Sequence, residues 1–179
     1  MYYKKLVGQN LYLSPMDLEN ETNILTKWFN EDQDIAYFNG FYGSLLGVDK
    51  TKELLEKFNE GPYSFSIVSC KDHSFMGHVS LFNLDSHGLF ATMGIYIGSE
   101  YRHQGYGQEA MRLLIDYAFN TLRLTAIHLE VFSYNPNAYQ SYEKLGFVEC
   151  GRWHQARFHQ GSYHDVILME LLRDYWVKE

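Results

Sequence analysis

The segment from residue 95 to residue 122 constrains the fold of this chain more than any other. A strand-like run, Ile95-Tyr96-Ile97, is followed by Gly105 and Gly107, and apolar residues then recur at helical spacing as far as Leu122. This change of period from 2 to 3.6 predicts a strand, a glycine-containing turn and a long amphipathic helix. The segment therefore places the chain among folds that mix strands and helices.

The other elements follow from apolar periodicity and from glycine and proline stops. Helices are predicted from Pro15, at 49–59 and at 136–145, and strands at 11–14, 63–70, 75–84, 89–97, 126–132, 147–158 and 163–172. The order is β-α-α, three β, then α-β-α-β-β. It predicts a mixed α/β (α+β) fold, with a mostly antiparallel sheet flanked by helices and one crossover helix.

Residues 31–48 are predicted to form a loop that carries aromatic side chains. Tyr37, Phe38, Phe41 and Tyr42 lie there among three glycines. Rings on a glycine-rich backbone either line a pocket or pack down on the core, and the sequence leaves both interpretations open.

Composition limits the classes of function. The 179 residues suit one domain, 1–179, and 15 basic against 22 acidic residues give a net charge of −7. That balance counts against nucleic acid as a partner, whereas a cationic small substrate is compatible with it. No signal peptide and no apolar run of membrane-spanning length is present, and the two cysteines do not make a disulfide framework. We therefore expect a cytoplasmic protein without a membrane association.

The glycine turn, residues 102–107, has the features of an anion site. Glycines permit backbone conformations that let several N–H groups converge ahead of a helix, where the helix dipole favours negative charge. The pattern is neither GxxxxGK[ST] nor GxGxxG, so it is neither a P-loop nor a dinucleotide fingerprint. A tight turn that uses glycine only for its geometry would have the same sequence.

A second informative segment begins about thirty residues later, at Asn135. Asn135 suits a helix N-cap, Pro136 the first helical position and Gly146 the residue after the helix. Spacings of three and four place Asn135, Ala138 and Tyr142 on one helix face. An amide and a phenol would then line whatever that face contacts, although Tyr142 could equally be a ring packed at the helix edge.

Together the two segments resemble the GNAT superfamily of acyl-CoA-dependent N-acyltransferases. Arg102-x-x-Gly105-x-Gly107 is similar to its R/Q-x-x-G-x-G/A motif, and the run from Asn135 to Phe147 is similar to its N…A…YEKxGF segment. The hairpin around Gly161 resembles the branch that includes ribosomal-protein alanine and polyamine acetyltransferases. The resemblance covers about 11–172 and is sharpest over 95–147.

The resemblance implies a splayed sheet that binds acetyl-CoA between two parallel strands. Main-chain groups of Ile95, Tyr96 and Ile97 would contact the pantetheine arm. Residues of the turn would surround the diphosphate: Arg102, His103, Gln104, Gly105, Tyr106 and Gly107. Asn135 and Ala138 would contact the cofactor beside the splay, and Tyr142 would stand near the thioester sulfur as general acid.

The general base is not specified by the resemblance. Relatives of this branch often carry Glu at the position of Thr92, and threonine cannot act as a base at neutral pH. One substitute is Glu130, which lies on the side of its strand that also carries His128 and Phe132. The other is water that passes the proton to bulk solvent. Glu130 could equally be an ordinary paired carboxylate.

The resemblance implies an acetyl-CoA-dependent N-acetyltransferase that acts on a primary amine by direct attack in a ternary complex. A polyamine, a protein N-terminus or another small or peptide amine would be the acceptor. Glu31, Asp32 and Asp34 favour a cationic one. The alternatives are a non-catalytic acyl-CoA-binding or sensing domain and a homodimeric partner-binding module. His154, His159 and His164 recur every five residues, which suits surface or hairpin positions, and no metal site is predicted.

Overall fold

The computed structural model describes residues 1–40, 43–85, 87 and 89–176. Within these ranges the chain forms eight strands and five α-helices. The strands are β1 Leu6–Val7, β2 Leu11–Pro15, β3 Ser64–Ser69, β4 Phe75–Phe82, β5 Phe90–Ile97, β6 Ala126–Phe132, β7 Val148–His159 and β8 Ser162–Leu172. The helices are α1 Leu18–Glu31, α2 Gln33–Phe38, α3 Val48–Phe58, α4 Tyr106–Asn120 and α5 Pro136–Lys144.

The strands form one mixed, mostly antiparallel sheet in the order β1-β2-β3-β4-β5-β6-β8-β7. Strands β5 and β6 pair in parallel, Phe90–Thr92 against Ala126–His128. β6 continues to Phe132 and pairs antiparallel with β8 along its whole length. The predicted mixed α/β fold with a mostly antiparallel sheet and flanking helices is therefore confirmed.

The chain divides into two compact units that share β4, β5 and α4. The first unit comprises Met1–Ser80 and Ile95–Leu114, and the second comprises Leu81–Gly94 and Ile115–Glu179. The two parts of the sequence that resemble the GNAT motifs fall in different units. The glycine turn belongs to the first unit, and helix α5 belongs to the second.

Aromatic packing dominates the core of the first unit. Trp28 of α1 stacks on Phe75 of β4 with ring centroids 5.3 Å apart, and Phe29 meets the ring of Tyr96 edge-on. The spacing of Leu25, Trp28 and Phe29 follows the helical period, so one face of α1 buries all three. Stacked and edge-on pairs of this kind contribute roughly 1 kcal/mol each beyond the area that they bury.

A polar row crosses the sheet of the first unit inside this apolar surrounding. We define it as Ser14, Ser66, His78 and Tyr96. Ser14 and Ser66 are register partners in β2 and β3, as are Ser66 and His78 in β3 and β4. Tyr96 stacks on His78 at 5.5 Å, and Ser66 donates a hydrogen bond to the fully buried carboxylate of Glu21 in α1.

The second unit is built on β6 and the β7–β8 hairpin. Ile127, Leu129 and Val131 alternate along β6 and are buried on one side of it. Gln160 and Gly161 both have positive φ and form the hairpin turn between β7 and β8, as the sequence predicts. The outer strand β7 is mostly exposed and carries Trp153, which is 52% exposed.

The predicted loop at 31–48 is partly wrong, because helix α2 lies within it. Asp32 starts this helix: its side chain accepts a hydrogen bond from the amide of Ile35. Six residues are too few for apolar periodicity to be detected, and the N-cap was the signal that could have predicted the helix. Phe41 and Tyr42, which were predicted either to line a pocket or to pack on the core, lie outside the described residues.

Strand β1, which the sequence analysis did not predict, has only two residues. It pairs with β2, and Gly8 after it packs so closely that an added Cβ would lie 2.4 Å from a carboxylate oxygen of Glu109. No helix in the described parts of the chain has both the length and the hydrophobicity to cross a bilayer.

Candidate active site

The turn of the first unit starts where β5 ends. Gly98 donates its amide hydrogen bond to the carbonyl of Met76, and a short 3₁₀ helix follows at Ser99–Tyr101. Gly105 has φ +84°, which favours glycine, and no atom lies within 4 Å of the place where its Cβ would be. The outer surface of the turn is therefore open to a ligand.

The backbone that follows Gly105 presents amide groups to that open surface. Glu109 donates to the carbonyl of Gly105 at 3.1 Å, so the amides of Tyr106 and Gly107 precede the first intrahelical hydrogen bond of α4. His103 also has a positive φ, +60°, which turns the chain sharply. Amides at a helix start, supported by the helix dipole, fit the oxygens of a diphosphate.

The side chain of Arg102 points away from this use. Its Nε donates to the carbonyl of Ile97 at 2.9 Å, Nη1 to Asp34 at 3.0 Å and Nη2 to Asp32 at 2.6 Å. The sequence analysis placed Arg102 at the diphosphate and the two aspartates at a cationic acceptor. The structure joins the three side chains to one another instead.

A cavity of about 500 Å³ lies beside the turn, entirely within the first unit. Gln104 and Tyr106 of the turn line it, together with Asn10 and with Lys71 and Asp72 of the β3–β4 turn. Most of its lining is polar, so it suits a hydrated polar ligand group rather than an apolar one.

The strand residues ahead of the turn alternate in the expected way. Ile95 and Ile97 are half-buried, whereas the side chain of Tyr96 is buried on the opposite side, against Phe38 and His78. Burial raises the pKa of the Tyr96 hydroxyl far above its usual range. Tyr96 is therefore a core residue, and only its main chain is suited to ligand binding.

In the second unit, α5 has the predicted capping. Asn135 accepts a hydrogen bond from the amide of Ala138 at 3.1 Å, and Pro136 occupies the first turn. Gly146 has φ +92° after the last turn. Asn135, Ala138 and Tyr142 share one face of this helix, so the predicted N-cap and helix are confirmed.

The side chain of Tyr142 is half-buried and contacts Phe147. Its ring meets Phe147 at 6.1 Å, and burial raises the pKa of Tyr142 to about 12. The phenol therefore keeps its proton throughout the neutral range. A protonated phenol is the form that can donate a hydrogen bond or a proton to a leaving group.

Thr92 and Glu130 also lie in the second unit. Thr92 is the register partner of His128 in the parallel pair of β5 and β6, and Glu130 lies two residues further along β6. Glu130 is exposed, while its neighbours Leu129 and Val131 are buried. Glu130 and His128 therefore point to the same side of β6, as predicted.

The three histidines of the C-terminal hairpin have different environments. His154 is exposed and contacts Asp165, whereas His159, at the end of β7, is buried and stacks on Tyr134 at 4.0 Å. In the part of the chain that the structure describes, no three His, Cys, Asp or Glu side chains are grouped as a metal ion requires.

The mixed sheet and the glycine turn ahead of α4 define an α/β domain of the kind that binds anionic ligands through backbone amides. Residues 10–148 match the family model of the acetyltransferase (GNAT) domain. The chain belongs to the GNAT family of acetyltransferases, as the sequence motifs predict.

Three relatives illustrate the similarity. The spermidine N(1)-acetyltransferase of Vibrio cholerae is 28% identical over 158 residues, which are 88% of this chain and 84% of the relative. The candidate ribosomal N-acetyltransferase YdaF of Bacillus subtilis is 32% identical over 108 residues, 60% of this chain and 59% of that one. The crystal structure of the Vibrio cholerae spermidine N-acetyltransferase with CoA and spermine superposes with a TM-score of 0.81 at 26% identity, covering 94% and 98% of the two chains.

These similarities confirm the class of enzyme. The protein is an acetyltransferase that transfers an acetyl group from acetyl-CoA to an amine. A non-catalytic sensing domain, the alternative that the sequence left open, is not favoured by relatives that are named as N-acetyltransferases.

Proposed function

We propose that this protein acetylates a polyamine, with spermidine as the first acceptor to test. One observation carries the proposal. The sequence alignment with a spermidine acetyltransferase covers 88% of this chain at 28% identity. The crystal structure of a spermidine acetyltransferase with CoA and spermine shares the fold over 94% of the chain. The match to YdaF makes a protein N-terminus the second acceptor to test.

In this proposal the donor is bound mainly by backbone groups. The amides at 104–107 contact the diphosphate, and the main chain of Ile95–Ile97 contacts the pantetheine arm. His103 shapes the turn through its positive φ. Asn135 and Ala138 are also proposed to contact the donor. The open surface at Gly105 and the helix start at Tyr106 support this assignment.

Acetyl-CoA supplies an activated acetyl group as a thioester. The proposed role of Tyr142 is to stabilise the sulfur as the carbon–sulfur bond breaks during direct attack by the amine in a ternary complex. Since a thiol titrates near about 8.5 and Tyr142 near about 12, full proton transfer from Tyr142 is uphill. Tyr142 therefore acts chiefly as a hydrogen-bond donor to the developing thiolate.

The amine must lose a proton before it attacks, because an alkylammonium titrates near about 10. Glu130 is exposed, so water competes with its carboxylate for that proton. We therefore assign the first proton transfer to water and give Glu130 an assisting role. Replacement Glu130→Gln is expected to lower kcat by less than about tenfold.

A preference for cationic acceptors does not follow from the three acids near α2. Asp32 and Asp34 share the positive charge of Arg102, and the carboxylate of Glu31 lies 3.8 Å from Lys27 Nζ. The polyamine proposal is therefore supported by the relatives and by the net charge of −7, not by an exposed acidic cluster at these residues.

The proposal is tested by release of CoA thiol from acetyl-CoA and succinyl-CoA across a panel of amines. The panel contains spermidine, a peptide with N-terminal alanine and an amino sugar. We expect turnover with acetyl-CoA and spermidine. Acetylation of the peptide alone would replace the polyamine by a protein N-terminus, and no thiol release with any amine would refute the proposal.

Tyr142→Phe tests the proposed chemistry in the same assay. Loss of one donor to the leaving group is expected to lower kcat about 10²-fold, with CoA binding unchanged. Tyr175→Phe is the matched control, because Tyr175 is 71% exposed and lies outside helix α5. Equal kcat values for the two variants would remove Tyr142 from the mechanism.

We further propose one N-acetyltransferase domain over 1–179, a cytoplasmic location and a homodimer. Cys70 and Cys150 are free thiols, as in a reducing compartment. Trp153 and Tyr163 are 52% and 69% exposed on the β7–β8 hairpin, at the edge of the sheet, where a second copy could cover them. Sedimentation at several protein concentrations tests the dimer, and a monomer at all of them would exclude it.

A further inference from the structure

The guanidinium of Arg102 makes three hydrogen bonds within the first unit. Its three nitrogens donate to the carbonyl of Ile97 and to one carboxylate oxygen each of Asp32 and Asp34. Its side chain is only 26% exposed. Charge-assisted contacts of this length are about twice as strong as neutral ones, so moving the guanidinium to another ligand would cost these three hydrogen bonds.

Asp32 joins three elements at one residue. Its amide donates to the carbonyl of Trp28 and closes α1, and its Oδ1 accepts from the amide of Ile35 and caps α2. The other oxygen, Oδ2, holds Arg102 at 2.6 Å. The end of α1, the start of α2 and the first residue of the glycine turn are therefore joined through a single residue.

The charges at this junction are unequal. One guanidinium faces two carboxylates, so the group carries a net charge of −1 behind the turn. Without Arg102, two negative charges would be left next to the segment that we assign to the diphosphate. Their repulsion would weaken binding of an anionic ligand even though neither aspartate touches it.

We propose that Arg102 is a positioning residue: it acts through Asp32 and Asp34, whose charge next to the glycine turn it compensates in part, and it does not bind phosphate. The inference rests on the proposed binding of CoA at the turn. It connects the arginine of the R-x-x-G-x-G motif in this chain to helix α2 as well as to the glycine turn.

A charge-compensation cycle tests the proposal, with CoA as ligand and calorimetry as the readout. Arg102→Gln is expected to weaken CoA binding at least tenfold. Adding Asp32→Asn and Asp34→Asn to that variant is expected to restore binding to within about threefold of the wild type. Asparagine is also a good N-cap, so Asp32→Asn preserves the start of α2.

A phosphate-binding arginine would give the opposite pattern. Asp34→Asn alone would then free the guanidinium and strengthen CoA binding, and the loss in Arg102→Gln would not be restored by neutralising the aspartates. Either result overturns the proposal. Arg152→Gln is the matched control, because Arg152 is also held by two carboxylates, those of Glu149 and Asp165, but lies in the second unit. It is expected to leave CoA binding unchanged.

Two further readouts keep the test decisive. Arg102→Lys retains the positive charge but not the forked geometry, so its affinity for CoA is expected to lie between those of the wild type and Arg102→Gln. This variant serves in place of Arg102→Gln if the latter folds poorly. In thiol-release assays with spermidine, the positioning role predicts a raised donor KM in Arg102→Gln and a donor KM close to that of the wild type in the triple variant. A wild type that gives no heat with CoA refutes the proposed donor site. A wild type that binds CoA, with a triple variant no better than Arg102→Gln, refutes only the positioning role.

Discussion

The buried carboxyl of Glu21 and the buried imidazole of His78 predict opposite pH dependences of stability. Glu21 is 0% exposed, and burial raises its pKa from 4.5 to about 7. His78 is 5% exposed, and burial lowers its pKa from 6.5 to about 4. At about 1.4 kcal/mol per pH unit, each difference corresponds to roughly 3 kcal/mol of folding free energy as an upper limit.

The sign differs because one group holds its proton more tightly in the folded state and the other holds it less tightly. For Glu21 the folded state binds more protons between pH 4.5 and about 7, so stability is lost as the pH rises through that window. For His78 the unfolded state binds more protons between pH 4 and 6.5, so stability is lost as the pH falls through that window. Between pH 4.5 and 6.5 the two slopes oppose each other.

Single substitutions separate the two contributions. In Glu21→Gln the slope due to His78 remains alone, and the free energy of unfolding is expected to rise by about 1–3 kcal/mol more than in wild type from pH 4.5 to 6.5. In His78→Gln the slope due to Glu21 remains, and stability is expected to fall over the same interval relative to wild type.

Urea denaturation of the three proteins at pH 4.5, 5.5, 6.5 and 7.5 measures these slopes. Other titrating groups are common to all three proteins, so the differences from wild type isolate Glu21 and His78. If those differences are constant with pH, or have the same sign of slope in both variants, the reasoning from burial is wrong. Tyr12→Phe is the control, since it removes a buried hydroxyl bonded to His73 and leaves both groups in place.

Two predictions concern glycines of the first unit. A Cβ at Gly77 would lie 2.3 Å from the carbonyl oxygen of Tyr96, so Gly77→Ala is expected to cost about 1–3 kcal/mol in urea denaturation, whereas Gly43→Ala, with nothing within 4 Å, is expected to be close to neutral. Equal stabilities would show that the two strands do not approach so closely. Gly105→Ala meets no neighbour but has φ +84°, so it is expected to cost about 1 kcal/mol through backbone strain alone; a stabilised variant would contradict this φ.

The sequence predicted most of the helices and strands because their apolar spacing is long and regular. Helix α4 buries Met111, Leu114 and Ile115 on the face that its period indicates. Helix α2 was missed because it depends on one N-cap, at Asp32, and on too few apolar residues to form a period. Strand β1 was missed for the same reason, since two residues carry no alternation.

The site was predictable where backbone geometry determines it. The positive φ at Gly105 and the cap at Asn135 follow from residue type at a known position in a helix or turn. The partners of Arg102 were not predictable, because Asp32 and Asp34 precede it by 70 and 68 residues and only the tertiary structure brings them together. The polar row was missed for the same reason: its members are separated along the chain and adjacent only through strand register.

The most direct test of the donor site compares CoA with pantetheine, which lacks the diphosphate and the 3′-phosphoadenosine attached to it, by isothermal titration calorimetry of the wild-type protein. If the amides ahead of α4 bind the diphosphate, CoA is expected to bind at least about 100-fold more tightly than pantetheine, a difference of roughly 3 kcal/mol. Equal affinities for the two ligands, or no heat with CoA, would contradict the assignment of the glycine turn.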